Sequence, residues 1–291
     1  MKLKLPFFLA SRFVAAETLE DTLPVVDNLK ADGLHVALDM LGEFVSDRNI
    51  AAAARDQYID LVERISQRPD HTGVHGTNIS IKLSMMGQKI DEQFCLNNLL
   101  QLLTVAKAND VFVRLDMEST DVVASTLHIF EEAYGDYPDH VGIVLQAYLK
   151  RTRQDVERMC DLNARVRICK GAYNEPAELA YQDMNTIRVR FMDYTKMLIS
   201  DSRYPGIATH DRKLIDATKE FAREQNISAD DYEFQMLYGL WPERQKALAE
   251  EGYNMRVYVP YGEEWFPYYY RRLRERKENI WLVAKALLGR G

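Results

Sequence analysis

One phrase recurs along this chain and constrains its fold more than any bulk property: a short run of branched apolar residues, a polar residue closing it, then a stretch with helical periodicity. The runs are Leu34 to Leu41, Thr77 to Ser84, Val111 to Glu118, Val141 to Tyr148, Val166 to Tyr173, Gly206 to His210, Tyr232 to Tyr238 and Met255 to Tyr261. The helical stretches fall at about residues 50–67, 91–109, 121–134, 152–164, 176–200, 211–226, 242–250 and 264–277. Eight strand and helix units in 291 residues predict an α/β protein of the (β/α)8 barrel type, whose strands read as apolar runs because both faces are covered. An open, doubly wound sheet is the alternative, but no GxGxxG follows the first run. Ahead of the repeat, Phe13, Leu19, Leu23, Val26 and Leu29 recur at helical spacing over Arg12 to Lys30, and Gly33 is placed to end that helix. The expectation is one domain over 1–291: a leading helical arm at 1–33, the barrel at 34–278 and a tail at 279–291.

Barrels of this class build their sites where the strands end, so the polar residues closing each run are the candidates. They are Asp39 and Glu43, Lys82 and Ser84, Asp116 and Glu118, Gln146, Arg167 and Lys170, Thr209 and His210, Gln235 and Tyr238, and Tyr258. A polar group in a buried strand is costly unless paired, so this many imply one shared polar site. Lys82 reads equally as a ligand-holding cation and as the ion-pair partner of a neighbouring strand's carboxylate, with Asp116 available for that role. Arg167 and Lys170 are three residues apart and face opposite sides of an ideal strand, so a kink or bulge before Gly171 is needed to aim both at one ligand. His210, between Thr209 and Asp211, reads as a satisfied polar histidine or helix-cap neighbour more readily than as a catalytic base.

Near the end of the chain, Arg256 to Tyr261 reads as a strand, followed by a tight loop and a helix starting near Glu264. Pro267 suits that helix's first turn, and Glu263 and Glu264 suit its positive end. At about 100° per residue, Tyr268, Arg271, Arg272 and Glu275 share one face. Two planar guanidinium forks beside a phenol suit clamping a small carboxylate or phosphate; a solvated basic face balanced by Glu275 is the other reading.

Composition narrows the partners. A net charge of −7 argues against nucleic acid, which requires a clustered basic surface, and points to a small molecule. Cys95, Cys160 and Cys169 are odd in number and lack metal-like spacing, as buried thiols of a reducing compartment do. There is no HExxH or other metal cluster, no Walker A lysine and no GxSxG elbow, so no metal site is expected. The start, Met1 to Ala10, is interrupted by Pro6 and closed early by Arg12, and reads as an ordinary arm rather than a signal sequence. No apolar run is long enough to span a bilayer. The tail from Asn279, with Ile280, Trp281, Leu282, Val283, Leu287 and Leu288, reads as capping the barrel or joining a partner subunit, with contact at a membrane surface as the alternative.

Taken in order, LDMLGE at Leu38 to Glu43, ISIKLS at Ile79 to Ser84, VRLDME at Val113 to Glu118, VLQAY at Val144 to Tyr148, VRICKGAY at Val166 to Tyr173, ATHD at Ala208 to Asp211, EFQMLYG at Glu233 to Gly239, and RVYVPYG with YYYRRLRE at the end resemble the proline dehydrogenase family, in its monofunctional bacterial form. The resemblance implies a distorted (β/α)8 TIM barrel that binds FAD non-covalently. It implies oxidation of L-proline to Δ1-pyrroline-5-carboxylate, the first step of proline catabolism to glutamate, with electrons passed to a membrane quinone. By the family's pattern, Lys82, Arg271 and Arg272 clasp the substrate carboxylate, Tyr258 and Tyr268 wall its ring, Arg167 sits against the flavin, and Asp116 orders the charges beside the site. The flavin contacts implied are Met117, Gln146, Arg167, Lys170, Gly171, Ala172, Thr209 and His210, while Glu43 and Glu275 pair with the clamp arginines, Glu43 as part of a gate. After Tyr173 this chain has Asn174, Glu175 and Pro176 where the bifunctional relatives carry a tryptophan, and no aldehyde dehydrogenase segment follows Gly291, so a separate pyrroline-5-carboxylate dehydrogenase is the expected downstream partner. The expected location is cytoplasmic, with peripheral contact at the inner face of the cell membrane left open. Two rival readings stand beside this one: a Schiff-base aldolase using Lys82 or Lys170, and a non-catalytic carboxylate or flavin binder.

Overall fold

In the computed structural model, which describes residues 7–69 and 71–275 apart from the side chains of Leu9 and 271–275, the eight apolar runs become eight parallel strands in chain order, closed into a barrel by β8 pairing with β1. The strands are β1 His35–Met40, β2 Asn78–Ile81, β3 Val113–Leu115, β4 Val141–Gln146, β5 Val166–Cys169, β6 Gly206–Ala208, β7 Glu233–Leu237 and β8 Asn254–Tyr261. Around them run α1 Leu19–Ala31, α2 Arg48–Ser66, α3 Glu92–Ala108, α4 Thr120–Tyr134, α5 Thr152–Asp161, α6 Met184–Asp201, α7 Arg212–Glu224, α8 Pro242–Glu250 and α9 Trp265–Glu275. The strands are shorter than the apolar runs because each run continues past the last ladder bond into the loop that carries its polar residues.

Helix starts are fixed by carboxylates: Asp47, Asp91, Asp183 and Asp211 each accept backbone N–H groups of the turn that follows. Two expected boundaries are corrected. The leading helix begins at Leu19, capped by Thr18, rather than at Arg12; Phe13 serves a separate small core with Ala10, Val14, Leu41, Leu240, Trp265, Tyr268 and Tyr269. The sixth helix begins at Met184 rather than near residue 176, because 174–183 is held as a loop by Asp183 capping the helix and by an isolated bridge from Leu149 to Ala180. Among the described residues no helix is long and apolar enough to cross a membrane.

Inside the barrel the N-terminal end is polar. Arg256 donates to both oxygens of Glu233 at 2.8 and 3.0 Å and to the carbonyls of Val36 and Gly76, and both side chains are fully buried. Burial alone would raise the Glu233 carboxyl, but Arg256 outweighs it and holds it at about 2, against an ordinary 4.5. His35, desolvated and facing Arg256, is lowered from 6.5 to about 4. Both groups bind fewer protons folded than unfolded, so both make the barrel acid-labile. Stability should fall from about pH 6.5 to pH 4 through His35, then from about pH 4.5 to pH 2 through Glu233, by on the order of 3 kcal/mol each. Urea titrations across pH check this: His35→Gln should flatten the first window and leave the second, and an unchanged first window would show that His35 is not its source.

Candidate active site

At the opposite, C-terminal end of the strands lies a cavity of about 510 Å3. It is lined by Asp39 of β1, Lys82, Asp116, Met117 and Glu118, Val144 and Gln146 of β4, and Arg167 and Cys169 of β5. Lys170 to Tyr173, Ala208 to Asp211, Gln235 to Leu237, Tyr258 of β8 and Tyr268 of α9 complete the wall.

Its floor is one connected ionic network. Lys82 follows the last residue of β2 and donates to Asp39 Oδ1 at 2.6 Å and to Asp116 Oδ2 at 3.4 Å. Asp116, one residue past β3, also receives Arg167 Nη1 at 2.9 Å and the Tyr258 phenol at 2.7 Å. Each nitrogen of the Arg167 fork makes a bond: Nε donates to Gln235 at 2.5 Å and Nη2 to Ser80 at 3.0 Å, with its guanidinium 5.2 Å from the centre of the Tyr258 ring. Space for Gln235 comes from Gly206, where a Cβ would stand 2.5 Å from the Gln235 amide nitrogen. Burial disfavours the Lys82 ammonium, yet Asp39 and Asp116 overcome it and hold the group charged. Burial pushes the Tyr258 phenol up, and Asp116 and Asp39 add to that, so it stays a hydrogen-bond donor.

The outer part of the cavity is less buried. Lys170 and Arg188 each donate to Asp211 Oδ2 at 2.6 Å. Those two cations, acting through hydrogen bonds against the burial that would raise it, hold the Asp211 carboxyl at about 2. Thr209 accepts from the Asp211 N–H, and His210 Nε2 accepts from the Leu237 N–H at 3.1 Å, so His210 is engaged as a polar histidine. Gln146 donates to the carbonyls of Met117 and Glu118, while its Oε1 is buried without a hydrogen-bond partner among the described residues. Strand β5 ends at Cys169, and Gly171, at φ +106°, turns the chain so closely over the Tyr148 ring that a Cβ would lie 2.2 Å from it. Both Arg167 and Lys170 thereby line the cavity despite their odd spacing.

Of the candidate residues, Lys82, Asp116, Met117, Gln146, Arg167, Lys170, Gly171, Ala172, Thr209, His210, Tyr258 and Tyr268 come together on this one cavity. Glu43 does not line it; it lies in the loop after β1, close enough for its charge to act on Glu118. The backbone of α9 carries Arg271, Arg272 and Glu275 onward from Tyr268, but their side chains lie outside the described residues. Asp116 does pair with Lys82, as its position allowed, but a nearer carboxylate, Asp39, joins it, while Asp116 is shared with Arg167 and Tyr258. Sequence reasoning left Asp39, Gln235, Ser80 and Asp211 without roles. Asp39 and Gln235 stood among the strand-end polar residues in HVALDM and EFQML, but those segments do not show that they meet Lys82 and Arg167.

Comparison with known proteins settles the family. The family model described as proline dehydrogenase matches residues 22–284. The chain belongs to the proline dehydrogenase family. It is an oxidoreductase of proline catabolism. Proline dehydrogenase 1 of Bacillus subtilis strain 168 is 38% identical over 279 residues, covering 96% of this chain and 90% of that protein. Proline dehydrogenase of Deinococcus radiodurans is likewise 38% identical, over 284 residues, with the same coverage of 96% and 90%. Among solved structures, proline utilization A from Bdellovibrio bacteriovorus, inactivated by N-propargylglycine, superposes with a TM-score of 0.86 at 26% identity. That match covers 92% of this chain and 32% of the other, so the family's barrel here spans about a third of that longer protein.

Proposed function

We propose that the cavity binds FAD non-covalently and that the chain oxidises L-proline to Δ1-pyrroline-5-carboxylate, with a membrane quinone as the final electron acceptor. The observation that carries this reading is the floor of the cavity, where two buried cations, Lys82 and Arg167, are tied to one shared carboxylate beneath an aromatic and apolar wall.

The residues present fit a flavin. Gln146 offers a buried amide oxygen without a partner among the described residues to a ring N–H, Gly171 allows close backbone approach, and Lys170 lines the outer end, where it supplies positive charge for a pyrophosphate. Met117, Ala172, Thr209 and His210 complete that side of the cavity. When bound, FAD supplies the two-electron acceptor for the hydride leaving the ring carbon next to nitrogen. The protein supplies position and charge. Lys82, with Arg271 and Arg272, holds the substrate carboxylate; Tyr258 and Tyr268 enclose the ring; Arg167 places positive charge against the flavin; and Asp116 keeps Lys82, Arg167 and Tyr258 in register. Glu43 and Glu275 pair with the clamp arginines, Glu43 as part of a gate over substrate. The product passes to a separate pyrroline-5-carboxylate dehydrogenase.

A Schiff-base mechanism needs a neutral amine, and Lys82 is held protonated by two carboxylates, which works against it. The test is the absorption spectrum of purified protein. Flavin bands are expected that bleach on anaerobic addition of L-proline, with free FAD released on acid denaturation. Protein that neither carries nor takes up flavin, or a bound flavin that proline leaves oxidised, would sink the proposal.

A further inference from the structure

We infer that Glu175 is a positioning residue that straps the loop walling the cavity to the start of α4, and so sets how tightly the flavin is held. The inference rests on the reading of this cavity as a flavin site. Residues 170–173 line the cavity, and the chain must then reach α6 at Met184 through a stretch whose one ladder contact is the isolated bridge at Ala180. Residues 176–179 are exposed, so burial does little to hold this segment, and a loop of that kind moves unless it is tied.

It is tied on two sides. Toward β4, Lys150 N donates to Leu179 O at 2.9 Å, Tyr181 N donates to Tyr148 O at 2.8 Å, and Gly171 lies against the Tyr148 ring. Toward β3 the tie is one side chain: Glu175 Oε1 accepts from Thr120 N at 2.8 Å, and Oε2 accepts from Thr120 Oγ1 at 2.5 Å. Gln182 then braces the Glu175 carbonyl at 3.1 Å. Thr120 is the first residue of α4, and Ser119 before it makes no side-chain capping bond. The carboxylate that meets the Thr120 N–H at the positive helix end therefore comes from 55 residues away. Helix α4 directly follows Asp116, Met117 and Glu118, all three on the cavity. One ion-assisted contact thus joins two walls of the same cavity, 116–118 and 170–173.

The test uses full-length protein stripped of flavin and titrated with FAD, read by flavin fluorescence, together with hydrogen exchange over residues 172–183. Glu175→Ala is expected to raise the FAD Kd about tenfold and to speed exchange in that loop, with the urea midpoint of the barrel little changed. Glu175→Gln keeps an acceptor oxygen and should recover part of the loss. Thr120→Val removes only the hydroxyl bond; it should weaken FAD binding about threefold alone and add nothing in the Glu175→Ala background. If Glu175→Ala does not fold, Glu175→Gln and Thr120→Val carry the test. An FAD Kd and loop exchange that match wild type in the folded variants would overturn the strap while leaving the flavin site intact. Wild-type protein that takes up no FAD would overturn both.

Discussion

Lys82→Met is expected to lower kcat/KM for proline by about 10²- to 10³-fold, chiefly through KM, while flavin content stays near wild type. The ammonium sits at the end of β2 between Asp39 and Asp116 and lines the cavity, and in the proposed role it receives the substrate carboxylate. Its charge persists across the working pH range because the two carboxylates overcome its burial, so the loss should not be rescued by raising or lowering pH. A second effect must be separated from this one. Asp39 is fully buried, and without Lys82 it loses the ammonium that balances its charge and takes up a proton, at a cost in stability of roughly 3–5 kcal/mol. Lys82→Met with Asp39→Asn removes that penalty. The double variant should regain most of the stability and none of the proline affinity. If affinity returned with stability, Lys82 would be acting as a prop for the floor rather than as a contact for the carboxylate.

The eight runs were legible because a barrel strand is covered on both faces, so its sequence is apolar throughout and its last residues are where polarity returns. That most of the strand-end candidates would share one cavity was legible for the same reason, since every strand end opens on it. Its pairings were not. Whether Lys82 meets Asp39 or Asp116 depends on the register of β1 with β2 and on how many donors Asp116 already serves, and neither is a local property of IKLS. The odd spacing of Arg167 and Lys170 was a warning that proved informative: an ideal strand would separate them, but β5 stops at Cys169 and Gly171 takes a left-handed turn over Tyr148. Residues 176–180, with two alanines, a glutamate and a leucine, look like a helix start on propensity, yet Ala180 is drawn into a bridge with Leu149 and the helix waits for the Asp183 cap. Phe13 was read into the leading helix but lies ahead of it, recruited by Trp265, Tyr268 and Tyr269, a contact across most of the chain that no local pattern encodes.

Arg167→Met is expected to leave proline affinity within a few fold of wild type but to slow flavin reduction at saturating proline by about 10²- to 10³-fold. The difference from Lys82 follows from the geometry. All three faces of the Arg167 fork are engaged by Gln235, Asp116 and Ser80, so the guanidinium is fixed before any ligand arrives, and its charge is available where negative charge grows on the reduced cofactor. Preorganised charge of that kind acts in the transition state more than in the ground state, which is why kcat should carry the loss. Arg167→Lys retains a charge but cannot hold three partners with one ammonium, so it should fall between wild type and Arg167→Met. Anaerobic stopped-flow reduction measures the rate, and a redox titration of the bound flavin measures whether its midpoint potential drops in the order Arg, Lys, Met. Asp116 adds a control, because it would lose one of its partners in Arg167→Met while keeping Tyr258 and Lys82. A slowed reduction with an unmoved potential would mean that Arg167 works by anchoring Asp116 and Tyr258 over the substrate; a rate and potential that fall together would mean that the flavin feels its charge directly.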